Sequence, residues 1–143
     1  MRSLLDINVL IALLDQDHAF HTRAHAWWKK DHPDWASCPL TENGIVRIMA
    51  SPNYSKARQF TVAELVTLLQ TFTAATKHTF WPDTVSILDG ARFDTVRILS
   101  SKNLTDIYLL SLAVEKGGRL VTFDQGIPAS AVARATPKNL LVL

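Results

Sequence analysis

Four carboxylates fall where a chain of this pattern can do chemistry. Asp6 follows the apolar run Leu4-Leu5, Glu42 lies just beyond a second apolar segment, Asp106 opens a helical stretch, and Asp124 follows Leu120-Val121-Thr122. Each has a plain structural use as well, because an acid at a helix start interacts favourably with the macrodipole by roughly 0.3–1 kcal/mol. Asp6 suits that use least, since it interrupts Leu4-Leu5 and Ile7-Asn8-Val9-Leu10-Ile11 and sets a charge against the expected core. Glu42 also reads as an exposed first-turn residue, and Asp124 as the turn announced by Gln125-Gly126. Asp106 stands between these cases. Gathered together, carboxylates about 4–5 Å apart repel by roughly 3–4 kcal/mol per pair at an effective dielectric near 20, so the set calls for a counter-ion. Oxygen ligands with room for water suit Mg²⁺ or Mn²⁺, and no Cys/His ligand cluster supports structural zinc. Such an ion polarises a phosphodiester, acidifies a bound water and stabilises a leaving oxygen, which points to phosphodiester hydrolysis.

The elements that must position these acids follow from period and punctuation. A strand is expected at about Arg2 to Leu5 and a helix from Ile7 to about Leu14, with Asp6 at their junction. A second helix spans about Ala19 to Lys30 and stops at His32-Pro33, after which Trp35 to Cys38 reads as a buried strand. Thr41 to Met49 is helical, and Thr61 with Glu64 makes a capping box that opens a long helix to about Thr76. His78 to Trp81 is a short strand ended by Pro82-Asp83, followed by a helical stretch from near Thr84 and another helix before Ser100-Ser101. Thr105 caps a helix from Asp106 to Glu115, Gly117-Gly118 stops it, and Leu120 to Thr122 is a compact strand. Leu140 to Leu143 supplies a fifth. Strands alternating with helices imply right-handed crossovers and a mainly parallel sheet covered on both faces. In such sheets functional groups collect outside the carboxyl ends of the strands, where the acids lie.

With 143 residues the chain fits a single domain, 1–143, and one active site. Hydrophobic residues at 48% against 20% charged argue for a packed core over disorder. The net charge of +2 permits a polyanionic partner, but no run of consecutive Lys or Arg forms a nucleic-acid tail. One cysteine, Cys38, excludes an internal disulfide framework. The apolar opening, broken by Asp6 and Asn8 and lacking a cleavage site, fits neither a signal peptide nor a membrane span. Cytoplasm is the expected compartment.

The segments Leu4-Leu5-Asp6-Ile7-Asn8-Val9-Leu10, Thr41-Glu42, Thr105-Asp106 with Leu109 to Ala113, and Arg119-Leu120-Val121-Thr122-Phe123-Asp124 resemble, in order, the signatures of PIN-domain toxins of the VapC type. The resemblance spans almost the whole chain. It implies an α/β three-layer fold around a five-stranded parallel sheet and a Mg²⁺- or Mn²⁺-dependent endoribonuclease. It also implies homodimerisation and inhibition by a cognate VapB-type antitoxin, as in type II toxin-antitoxin systems. The family's metal-binding and catalytic acids carry over to Asp6, Glu42, Asp106 and Asp124, its hydroxyl before the last acid to Thr122, and Asn8 is an auxiliary position. Ile127 departs from the pattern, in which an aromatic residue often stands a few places after the last acid.

Two other classes compete. A phosphatase could use Asp6 as covalent nucleophile, although the second Asp of that pattern is replaced here by Asn8. An RNA-binding module that has lost cleavage is the other, weakened by the presence of all four acids. His18, His21 and His25 share a helical face and could bind a softer metal, but with Phe20, Trp27 and Trp28 nearby they read first as part of a packed amphipathic helix. Arg47, Lys56 and Arg58 serve equally as phosphate contacts or as a solvated basic face. Cys38 is expected to pack.

Overall fold

The computed structural model describes residues 1–143. Five short strands form one sheet: β1 (Ser3–Leu5), β2 (Trp35–Ser37), β3 (His78–Phe80), β4 (Arg119–Thr122) and β5 (Leu140–Val142). Their order is β3-β2-β1-β4-β5 and every pairing is parallel. Between them run helices α1 (Ile7–Leu14), α2 (His21–Asp31), α3 (Pro39–Met49), α4 (Val62–Ala75) and α5 (Leu104–Glu115). Parallel strands need long crossovers, and the helices that make them cover both faces of the sheet.

Period-two alternation decides which core each strand residue enters. Leu4 pairs with Ala36 and Leu120, and these point into a core completed by Ile107, Leu109, Leu110, Leu112 and Ala113 of α5. Leu5, Trp35 and Val121 point the other way, into a core with Val9 to Leu13 of α1, Ile45 and Met49 of α3, and Leu65 of α4. Helix α1 is buried from Val9 to Leu13, as its nearly unbroken apolar sequence requires. At full burial each Leu or Ile in these cores contributes roughly 1.5–3 kcal/mol relative to exposure. Helices α1 and α3 approach closely at Gly44, where an added Cβ would lie 2.4 Å from Ile7 Cδ1.

Most expected elements are present, with ends moved by a few residues, as at His21 for α2 and Pro39 for α3. The Thr61-Glu64 capping box forms reciprocally, at 3.1 Å from the Glu64 N–H to Thr61 Oγ1 and 2.8 Å from the Thr61 N–H to Glu64 Oε2. Two expectations fail. The segment from Thr84 to Ser100 holds no α-helix, only turns and a short 3₁₀ stretch at Thr95–Arg97. Asp89 and Asp94 account for this: Asp89 accepts from the backbone of Ala91 and from Arg92, and Asp94 from Arg97. Such local side-chain partners compete with a helical ladder. The segment is pinned instead by buried Val85 and Phe93 and by a bridge from Phe93 to Val132. Thr105 is not the cap of α5, because the helix already begins at Leu104 with Asn103 in the cap position, leaving Asp106 in the first turn.

Candidate active site

The strand order reverses direction of growth between β1 and β4, the central pair, and this is where open α/β sheets gather functional groups. Asp6 leaves the end of β1 and Asp124 the loop after β4. Asp6 occupies the N-cap position of α1, yet its side chain makes no capping hydrogen bond. It turns inward, 5% exposed, and accepts a 2.8 Å hydrogen bond from Thr122 Oγ1. Thr122 is fully buried, and its oxygen accepts in turn from the Asp124 N–H at 3.0 Å. One hydroxyl thus ties the ends of both central strands. The loop after β4 is closed by Asp124 Oδ1, which accepts from the Gly126 N–H at 2.7 Å.

The electrostatics link a third acid to these two. Burial raises the proton affinity of Asp6, against the lowering effect of the Thr122 hydroxyl and the Ile7 N–H, and the charge of Asp124 raises it further. Asp106 is pushed from 3.8 up to about 7, first by burial, then by the charges of Asp6 and Asp124 and a hydrogen bond with Asp124. Three aspartates, from the end of β1, from α5 and from the loop after β4, therefore share one site, at a cost that Asp6 and Asp106 would escape in part if separated. Their donor set fits a hard divalent cation, being oxygen only and in deficit of positive charge. No three of the acids stand around a common point in ligating geometry, however.

Glu42 is held by a hydrogen bond of its own: its Oε1 accepts from Ser37 Oγ at 2.6 Å, beside His78. Helix α3 carries it in its first turn, with Thr41 Oγ1 satisfying the Cys38 N–H at 3.0 Å. The structure thus links Asp6, Asp106, Asp124 and Thr122 directly, and anchors Glu42 at the end of β2. Asn8 is exposed in the first turn of α1.

A fifth acid at this edge is Asp83, just beyond β3, whose charge raises the pKa of both Cys38 and Tyr108. Like the other acids it follows a strand, although in the sequence Pro82-Asp83 marks only the end of that strand. Burial pushes the Cys38 thiol up to about 11, so it packs and is no nucleophile. The histidines of α2 and the turn before it serve structure: His21 Nδ1 lies 2.7 Å from the Ala12 carbonyl and His25 Nε2 2.9 Å from that of Leu13. They satisfy carbonyls that the end of α1 leaves without helical partners. Arg47, Lys56 and Arg58 are exposed, and Arg58 lies over the Phe60 ring at 4.6 Å. Ile127 is buried in the α5-side core.

Comparison with known proteins agrees with this architecture. The PIN domain family pattern matches residues 3–133. Ribonuclease VapC44 of Mycobacterium tuberculosis is 49% identical over 144 residues, covering 100% of both chains. Ribonuclease VapC39 of the same species is 39% identical over 134 residues, covering 93% of this chain and 96% of the relative. Among solved structures, M. tuberculosis VapC20, described as a Sarcin-Ricin loop cleaving toxin, superposes with a TM-score of 0.60 at 14% identity, covering 94% of this chain and 99% of that one. VapBC2 from Rickettsia felis, bound to a DNA fragment from its promoter, gives 0.57 at 12% identity, with 100% and 98% covered. These two likenesses concern the fold, whereas the family pattern and the sequence identities extend to lineage: the chain belongs to the PIN-domain family, among its VapC-type members.

Proposed function

We propose that the chain is a metal-dependent endoribonuclease, the toxin of a type II toxin-antitoxin pair, that acts in the cytoplasm as a homodimer and is silenced by a cognate VapB-type antitoxin. The observation that carries the catalytic part is the raised proton affinity of Asp6 and Asp106 at the carboxyl edge of β1 and β4, caused first by burial and then by the neighbouring aspartate charges, that of Asp124 acting on both. A protein keeps such a cluster when a cation relieves it, and strongly perturbed acids grouped at one edge mark candidate sites. The relatives named as ribonucleases support the substrate class, and the VapBC complex supports the partner.

Mg²⁺ or Mn²⁺ bound by these acids would supply Lewis-acid polarisation of the phosphodiester and an acidified water. Asp6, Asp106 and Asp124 would hold the ion, and Glu42 would join them from α3. Thr122 keeps the Asp6 carboxylate oriented, and the Gly126 N–H does so for Asp124. Without the ion Asp106 is pushed up to about 7, first by burial and then by the charges of Asp6 and Asp124, so ion binding near neutrality would displace a proton there. Overall one water adds across one P–O bond, its oxygen going to phosphorus and its proton to the departing ribose oxygen. Antitoxin binding would cover this edge, an arginine being the chemically matched group for these carboxylates.

The test is cleavage of a mixed cellular RNA preparation by purified protein, with Mn²⁺ or with EDTA, followed by sequencing of the new ends. Metal-dependent ends that disappear in Asp6→Asn are expected. Equal profiles with and without metal would refute metal dependence, and a trapped aspartyl-phosphate at Asp6 would favour the phosphatase reading. Expression without the neighbouring antitoxin gene should arrest growth, and equal growth with and without it would refute the toxin assignment.

A further inference from the structure

Ser37, the last residue of β2, is 2% exposed and stands between two groups. Its hydroxyl lies 2.6 Å from Glu42 Oε1 and 2.7 Å from His78 Nε2. A serine hydroxyl has a single proton, and a carboxylate only accepts. That proton therefore goes to Glu42, and Ser37 Oγ takes its second bond from an N–H at His78 Nε2, a tautomer that the network dictates. The chain of bonds runs one way, from His78 through Ser37 to Glu42.

The donor end is held as firmly as the middle. His78 pairs in register with Trp35 across β2 and β3, and their ring centroids are 4.5 Å apart. Trp35 is fully buried and donates its indole N–H to Thr76 Oγ1 at 2.9 Å, just ahead of β3. Glu42 meanwhile lines a cleft of about 310 Å³ together with Ser37, Asn43 and His78. A carboxylate at such a cleft can be solvated without protein partners, so a purely space-filling role for Ser37 and His78 leaves its fixed direction unexplained. Helix α3 alone does not aim this side chain, but two strands of the sheet do.

We propose that Ser37 and His78 are positioning residues for the Glu42 carboxylate, a directed hydrogen-bond relay that sets how Glu42 is presented to a divalent cation at the acidic edge. This rests on the metal-dependent nuclease reading above. Partners that orient a ligand typically alter metal affinity or activity 10–100-fold when removed.

The experiment compares Ser37→Ala, His78→Phe and His78→Gln with the wild type and Asp6→Asn, each below its own melting temperature. Mn²⁺ affinity is read from melting shifts of RNA-free protein, and kcat and KM are read separately with RNA. Ser37→Ala and His78→Phe should weaken Mn²⁺ binding about 10–100-fold and lower kcat at nearly constant KM. His78→Gln, whose amide can donate to Ser37, should recover most of both. The relay is overturned if Ser37→Ala and His78→Phe stay within about twofold of wild type, or if they bind Mn²⁺ more tightly. It is overturned equally if Phe and Gln at position 78 lose the same amount. Should the wild type respond to metal and Asp6→Asn not, while Ser37→Ala behaves as wild type, the relay alone falls. If the wild type shows no metal response, the functional reading falls and takes the relay with it.

Discussion

Replacing Asp106 by asparagine keeps size and hydrogen-bonding capacity but removes one charge from the site. In the folded protein this carboxyl is pushed from 3.8 up to about 7, with burial the largest cause and the charges of Asp6 and Asp124 next. Each tenfold change in proton affinity corresponds to about 1.4 kcal/mol, so the displacement has an upper bound of about 4 kcal/mol. Solvent screening at this partly exposed group reduces that to about 1–2 kcal/mol. The sign follows from linkage, because the folded state binds this proton more tightly than the unfolded chain. The carboxyl costs nothing below about pH 4 and destabilises progressively as the pH rises from about 4 to about 7. Metal-free Asp106→Asn should therefore melt with wild type at pH 4 and about 3–8 °C above it at pH 8. With Mn²⁺ at 100 times its dissociation constant the wild type gains about 2.7 kcal/mol, and the variant less at equal concentration, so the order of stabilities narrows or reverses. RNA cleavage should nearly vanish in the variant. Calorimetry from pH 4 to 8, with and without Mn²⁺, measures these effects. Equal metal-free melting at pH 8, with Mn²⁺ shift and cleavage retained, would show that Asp106 is only a first-turn residue.

Thr122→Val removes the donor to Asp6 and the acceptor of the Asp124 N–H; it should cost about 1–3 kcal/mol and depress cleavage further than stability, as paired denaturation and rate measurements will show. Tyr54→Phe deletes the hydroxyl bonded to buried Asp15, and urea unfolding should register a loss of about 1–3 kcal/mol with cleavage per folded molecule unchanged. Gly118→Ala would set a Cβ 2.6 Å from the Arg2 carbonyl oxygen and 2.7 Å from Trp81 Cη2; a drop of about 1–3 kcal/mol is expected, and an unchanged melting temperature would refute the crowding. Light scattering at micromolar concentration should report about twice the chain mass, and a monomer would remove the dimer from the proposal.

What could be read from the residues depended on how locally each feature is encoded. Leu4-Leu5 and Leu120-Val121 declare buried strands by themselves, and the alternation of strands with helical periods then yields the parallel sheet and the edge at which Asp6 and Asp124 emerge. The Thr61-Glu64 box and the Gly117-Gly118 stop are equally local. Between Thr84 and Ser100 the same reasoning failed, because the stop at Pro82-Asp83 announces a helix that the chain does not form, Asp89 and Asp94 folding it into short turns instead. Side-chain direction is less accessible still. Position in the chain places Glu42 near the edge, but only the bonds of Ser37 to Glu42 and to His78 show which partners hold its side chain.

Strand β1 lies between β2 and β4, so one of its sides stays unpaired until residues 119–122 have been made. During synthesis Leu4 and Leu5 must wait with an open edge, the kind of surface that recruits other chains. The same delay keeps Asp6 and Asp124 apart until more than four-fifths of the 143 residues have been joined. A ribosome making this protein therefore releases no chemically complete site early. The topology that pairs distant segments thus also sets when the two acids first meet.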